Sequence, residues 1–187
     1  MVRNYFVVFL IGISFLFLSS RAKGQQIPIM AFHGVQKEFT SEEHFRKMKA
    51  AGITISFSIY ETNAELANAL DCAQLAGVKL LIYSYDLVNK TKETVLLFRN
   101  HPALFGYYIN DEPSTDVFGI LKSRIDEIKK YDSLHPTYVN LFPNYAENNQ
   151  FRAASYLDYL SKYLNSVPIA FISFDHYPLM NNKVHPG

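Results

Sequence analysis

Two adjacent carboxylates carry the clearest chemical signal in the chain. Asp111 and Glu112 follow an apolar run directly, in the stretch Gly106-Tyr107-Tyr108-Ile109-Asn110-Asp111-Glu112-Pro113-Ser114, and Pro113 then stops a strand from continuing. Burying ionised groups is costly unless they are paired or used, so acids ending a buried strand are candidates for function. A Glu in a partly apolar cleft has a raised pKa and can donate a proton near neutrality. Side chains alternate along a strand, so one acid is expected to face a cavity while the other braces neighbouring loops. The competing reading is a solvated turn, with Glu112-Pro113-Ser114 opening the next helix.

Other polar and aromatic groups end other apolar runs: His33, Tyr60, Tyr85-Asp86, Asn140 and Asp175-His176-Tyr177. A set such as His33, Asp86, Glu112, Asp175 and His176 would suit Zn²⁺ or Mn²⁺ if the fold gathered it. No HxH or HExxH spacing supports that alternative, so no metal and no cofactor is expected. Cys72, the single cysteine, can form neither an internal disulfide nor a thiolate zinc site. His44, His101 and His135 are expected at the surface or in caps.

The elements that must position these groups alternate regularly. Apolar stretches at 27–35, 53–60, 79–85, 104–109, 137–142 and 169–174 are rich in Ile, Val, Phe and Tyr, and short enough to be strands. Helical patterns lie between them. Thr40-Ser41-Glu42-Glu43 opens one with a capping signature, Asn63 can cap the next, and further helices are expected at 92–99, 116–130 and 156–165. Ala51-Gly52-Ile53 and Ala76-Gly77-Val78 place a Gly where a left-handed residue closes a helix. A βα repeat of about 25 to 33 residues with apolar strands implies a parallel sheet buried on both faces. The choice is then between a doubly wound open sheet and a closed barrel. No Gly-rich phosphate turn follows the first strand, and polar groups end nearly every strand, which favours the (β/α)8 TIM barrel and its single mouth. Barrels typically take about 250 residues, whereas six βα units use up all 187 here. The chain is therefore expected to be an incomplete barrel, part of a longer protein.

Composition narrows the partners. Eighteen Lys and Arg face seventeen Asp and Glu, with no block of like charge, so a nucleic-acid partner is not expected. There is no Trp, against 13 Tyr and 15 Phe. Arg3, an apolar run from Tyr5 to Leu18, and Ala22-Lys23-Gly24 make residues 1–24 a signal peptide, cleaved near Gln25, with the product secreted or periplasmic. The run is short for a membrane span, so no stable anchor is expected, an uncleaved anchor being the alternative. Removing that leader, with three cations and no acid, takes the formal charge from +1 to −2.

Asn110-Asp111-Glu112-Pro113 resembles the Asn-Glu-Pro signature that ends strand four in clan A, the superfamily of retaining glycoside hydrolases with (β/α)8 barrels. His101-Pro102-Ala103-Leu104-Phe105-Gly106-Tyr107-Tyr108 and Ser173-Phe174-Asp175-His176-Tyr177-Pro178 are also similar to members of that group. The resemblance covers roughly residues 27–180 and implies a carbohydrate substrate, with Glu112 as general acid/base. The family places Asn directly before that Glu to bond the sugar 2-OH; here Asp111 takes the place, with Asn110 one residue earlier and facing the other way. The family's nucleophile lies on strand seven, beyond these six units. His33, Tyr85, Asn140 and Tyr177 offer hydrogen-bonding tips and flat faces suited to sugars, and Asp175 joins Asp111 among the expected substrate contacts. The expectation is an exported glycoside hydrolase-like protein. The alternatives are a metal-dependent barrel enzyme and an exported, non-catalytic glycan-binding barrel; the oligomeric state stays open.

Overall fold

The computed structural model describes residues 27–177, 179–180 and 183–184; the expected leader, residues 1–24, and Pro178 lie outside them. Six parallel strands pair strictly in chain order: β1 (Met30–Ala31), β2 (Ile55–Tyr60), β3 (Lys79–Ser84), β4 (Leu104–Asp111), β5 (Thr137–Leu141) and β6 (Ser173–Phe174). Each is followed by helical structure until β6: α1 (Glu42–Ala50), α2 (Asn63–Ala76), α3 (Tyr85–Asn89), α4 (Thr91–Phe98), α5 (Phe118–Lys129), α6 (Asn148–Phe151) and α7 (Tyr156–Ser166). A short antiparallel pair, β7 (Leu179–Met180) and β8 (Lys183–Val184), stands apart from the sheet. A doubly wound sheet reverses its strand order at a switch point. This sheet never reverses, and its six βα units form an incomplete (β/α) barrel, as the repeat predicts.

The helices form where local chemistry directs. Ser41 caps α1, accepting from the His44 N–H. Thr62, not Asn63, caps α2 in a reciprocal box with Glu65. Asn63 instead bridges elements: its N–H donates to Asp86 and its amide oxygen accepts from Thr94. Leu66, Ala69, Leu70 and Ala73 of α2 are fully buried, and Gly77 closes that helix at φ 69°. The helix-side core gathers these with Tyr60, Leu80, Ile82, Tyr107 and Val139, whereas Ile55, Phe57, Leu81, Tyr108 and Tyr138 pack together on the opposite, concave face.

The edge strands are shorter than the apolar runs that predict them. β1 reduces to two residues because Ile29 spends its carbonyl on Thr54 and Ile55, and the chain turns away after Ala31. β6 also reduces to two, since β5 offers it partners only at Asn140 and Leu141. The central strand β4 carries one extra residue against each neighbour. Phe105 is unpaired between the Leu80–Leu104 and Leu81–Gly106 partners, and Ile109 between Tyr108–Tyr138 and Asn110–Val139. Bulges of this kind re-aim the residues that follow them.

Candidate active site

The second bulge decides where Asp111 points. Tyr108 packs on the concave face and Ile109 in the helix-side core, so plain alternation would put Asn110 inward and Asp111 outward. The inserted residue instead aligns Asp111 with Asn140, two residues beyond the concave-facing Tyr138. The Asn140 amide donates to Asp111 at 3.0 Å and to Asp175 at 2.8 Å, and its oxygen accepts from Ser173 at 3.1 Å. Asn140 is only 3% exposed, and bonds to two carboxylates make burying its amide affordable. Tyr138 shares a hydrogen bond of 2.6 Å with Ser173, and Tyr177 lies at 3.5 Å from the second Asp175 oxygen.

Glu112 joins this cluster by an unusual backbone. Its φ is 41°, a left-handed conformation in which a non-glycine side chain costs roughly 1–2 kcal/mol. Its N–H donates to the Asn140 carbonyl at 2.8 Å, which continues the ladder while the chain turns. The two acids therefore do not diverge as alternation predicts: Glu112 faces Asp175, and Asp111 takes the same Asn140 amide that Asp175 does. Burial pushes the Glu112 carboxyl above its ordinary range, and the charges of Asp175 and Asp111 and a hydrogen bond with Asp175 push it further. A carboxylic acid so placed keeps its proton to higher pH and can deliver it. The loop beyond is anchored, because Tyr159 donates to the Pro113 carbonyl at 2.9 Å.

Beside Asp111 the mouth widens into a cleft of ≈ 370 Å³ that reaches His33 and Tyr85 across Tyr83, Tyr108 and Asn110. His33 is itself left-handed, at φ 57°, and stands edge-on to Phe32 with ring centroids 5.1 Å apart. Tyr85 opens α3 rather than ending a strand, and is exposed at the cleft. The structure thus brings Asp111, Glu112, Asn140, Asp175 and Tyr177 into one cluster, with His33 and Tyr85 along the cleft.

Two other strand-end groups point elsewhere. Tyr60 is buried in the helix-side core, donating to the Val35 carbonyl at 3.1 Å. Asp86 accepts from the Asn63 N–H at 2.9 Å and pairs with Lys90 at 3.2 Å. Asp86 is thereby kept out of the ligand set considered for a metal, and among the described residues no group of three His, Cys, Asp or Glu could hold one. His44, His101 and His135 bond to Ser41, Asp71 and Asp132. Sequence reading missed Tyr138, Ser173 and Tyr145, whose hydroxyl receives the Tyr177 N–H at 2.7 Å. Only Tyr138 left a signal, sitting two residues from Asn140 on the same strand face.

No family model matches the sequence, and no curated protein matches it. Solved structures do. The endo-1,4-β-mannanase of Eisenia fetida superposes with a TM-score of 0.52 at 14% identity, over 71% of this chain and 59% of that one. A glycosyl hydrolase family 2 member from Bacteroides cellulosilyticus DSM 14838 matches with a TM-score of 0.50 at 13% identity, over 81% of this chain and 21% of that one. The chain therefore spans less than two thirds of either structure. At such identities the likeness is one of fold alone, a partial (β/α) barrel.

Proposed function

We propose that this chain supplies the acid/base side of a retaining glycoside hydrolase, with Glu112 as the proton donor. The observation that carries the reading is the left-handed Glu112, turned onto Asp175 with its carboxyl held above the ordinary range. Glycoside cleavage protonates a leaving oxygen while an oxocarbenium-like centre develops. Glu112 gives that proton and, as carboxylate, later deprotonates the incoming water. Asp175 and Asp111 keep the proton on Glu112 until then, and Asn140 holds both. Neither Asp is assigned as nucleophile: both are bonded to Asn140 and face Glu112, whereas a nucleophile stands across the substrate, about 5–5.5 Å from the acid. The clan A resemblance puts that residue on a seventh strand. Residues 1–24 are, in this reading, an export leader, and N-terminal sequencing of the exported protein should begin near Gln25.

In the protein carrying the remaining strands, Glu112→Gln keeps the shape but removes the proton. Rates should fall about 10²–10⁴-fold on substrates with poor leaving groups. Activated aryl glycosides, which need little protonation, should be affected much less in glycosylation. Equal losses on both substrate types would take Glu112 out of the acid role.

A further inference from the structure

The ladder between β3 and β4 ends early. Their last partners are Ile82 and Tyr107, although β3 stays paired to β2 through Ser84 and β4 to β5 through Asp111. The gap joins the mouth cleft to the helix layer, and Arg124 of α5 lines both the cleft and the gap, beside Tyr83, Tyr108 and Ile109. Among the cations whose side chains are described, only Arg124 and Lys49 have no partner. The others rest on an acid, a carbonyl or, for Lys92, the Tyr131 ring. Lys49 lies on α1, away from this cleft; Arg124 is the one cation lining it.

The groups around Arg124 are also uncommitted. Tyr108 is only 8% exposed, yet its hydroxyl bonds to nothing among the described residues, nor does the Asn110 amide. Both residues line the cleft, so the hydrogen-bonding capacity of the hydroxyl and the amide is open to a ligand there. Asp111 is the one acid on the cleft, and its carboxylate is already turned to Asn140. We propose that this cleft binds an acidic sugar, a uronic acid, whose carboxylate pairs with Arg124. The guanidinium fork matches a carboxylate in two parallel hydrogen bonds, and Tyr83 and Tyr85 offer their faces to the ring carbons. The inference rests on the glycan reading of the same mouth and adds the substrate's charge to it.

The test compares trigalacturonic acid with the same trisaccharide after its carboxyls are reduced to alcohols, titrated into the full chain by calorimetry. The acid form should bind about tenfold tighter, and added salt should shrink the difference, because the pair is exposed to screening. Arg124→Gln should abolish the preference, and Arg124→Lys, which keeps charge but loses the fork, should retain part of it. Equal affinities for the two sugars, or a preference that survives Arg124→Gln, would overturn the inference while leaving the glycan reading intact. Binding of neither sugar would overturn both.

Discussion

Glu112 is held in a backbone conformation that its side chain disfavours, and in the proposed reading the strain sits where the proton is aimed. Asn tolerates left-handed backbone better than Glu does. Glu112→Asn should therefore raise stability by about 1 kcal/mol while removing the acid, a gain visible in urea melts. A melt that shifts the other way would mean that contacts of the Glu112 side chain outweigh its backbone strain. After burial itself, Asp175 does most to raise the Glu112 pKa. A general acid works only while protonated, so activity is lost as pH rises through its pKa. Asp175→Asn removes a facing charge, lowers that pKa, and should move the alkaline limb of kcat/KM to lower pH in the protein with its remaining strands. An unmoved limb would separate Asp175 from the proton on Glu112.

At the level of elements, local devices set the frame that holds the mouth open. Removing the Thr62 hydroxyl breaks the capping box of α2, and Thr62→Ala should cost about 1 kcal/mol in a denaturant melt. Gly34 matters through close approach: a Cβ there would lie 2.3 Å from the Ser56 Oγ, which accepts the Val35 N–H. Gly34→Ala should cost about 1–3 kcal/mol and loosen the turn that presents His33. The strand–helix rhythm, the closing glycines Gly52 and Gly77 and the acids after β4 were all legible in the sequence, because each depends on residues close along the chain. The two β4 bulges and the left-handed Glu112 were not. They follow from the register between strands tens of residues apart, which a period-2 pattern does not encode. That is why alternation separated Asp111 from Glu112 while the fold gathered both around Asn140 and Asp175; the Thr62 cap, by contrast, is a local Thr-x-x-Glu signature with Glu65.

Over the whole molecule the sheet is pinned at one end and chemically loaded at the other. Beneath the sheet, before β5, Asp132 is 6% exposed and accepts from the Tyr107 hydroxyl at 2.7 Å, from the Leu134 and His135 N–H groups, and bonds the His135 ring at 2.7 Å. Burial alone would push its carboxyl up, but the hydrogen bonds from Tyr107, His135 and Leu134 outweigh that and hold it below the ordinary range. The two carboxylates then act with opposite sign. Asp132, lowered, contributes stability that is present above the ordinary Asp range and lost as pH falls through its folded pKa. Glu112, raised, contributes stability that is fully present below the ordinary Glu range and lost as pH rises through its own. Asp132→Asn leaves buried donors without their acceptor and should cost about 1–3 kcal/mol at pH 7. The same variant should flatten the acid limb of the stability curve, while Glu112→Gln should flatten only the fall on the rising side. Urea melts from pH 3 to pH 8 on the three proteins read this directly. If Asp132→Asn shifts the curve down without changing its acid slope, the network stabilises the fold by packing alone, and its ionisation is not what fastens β4 to the turn before β5.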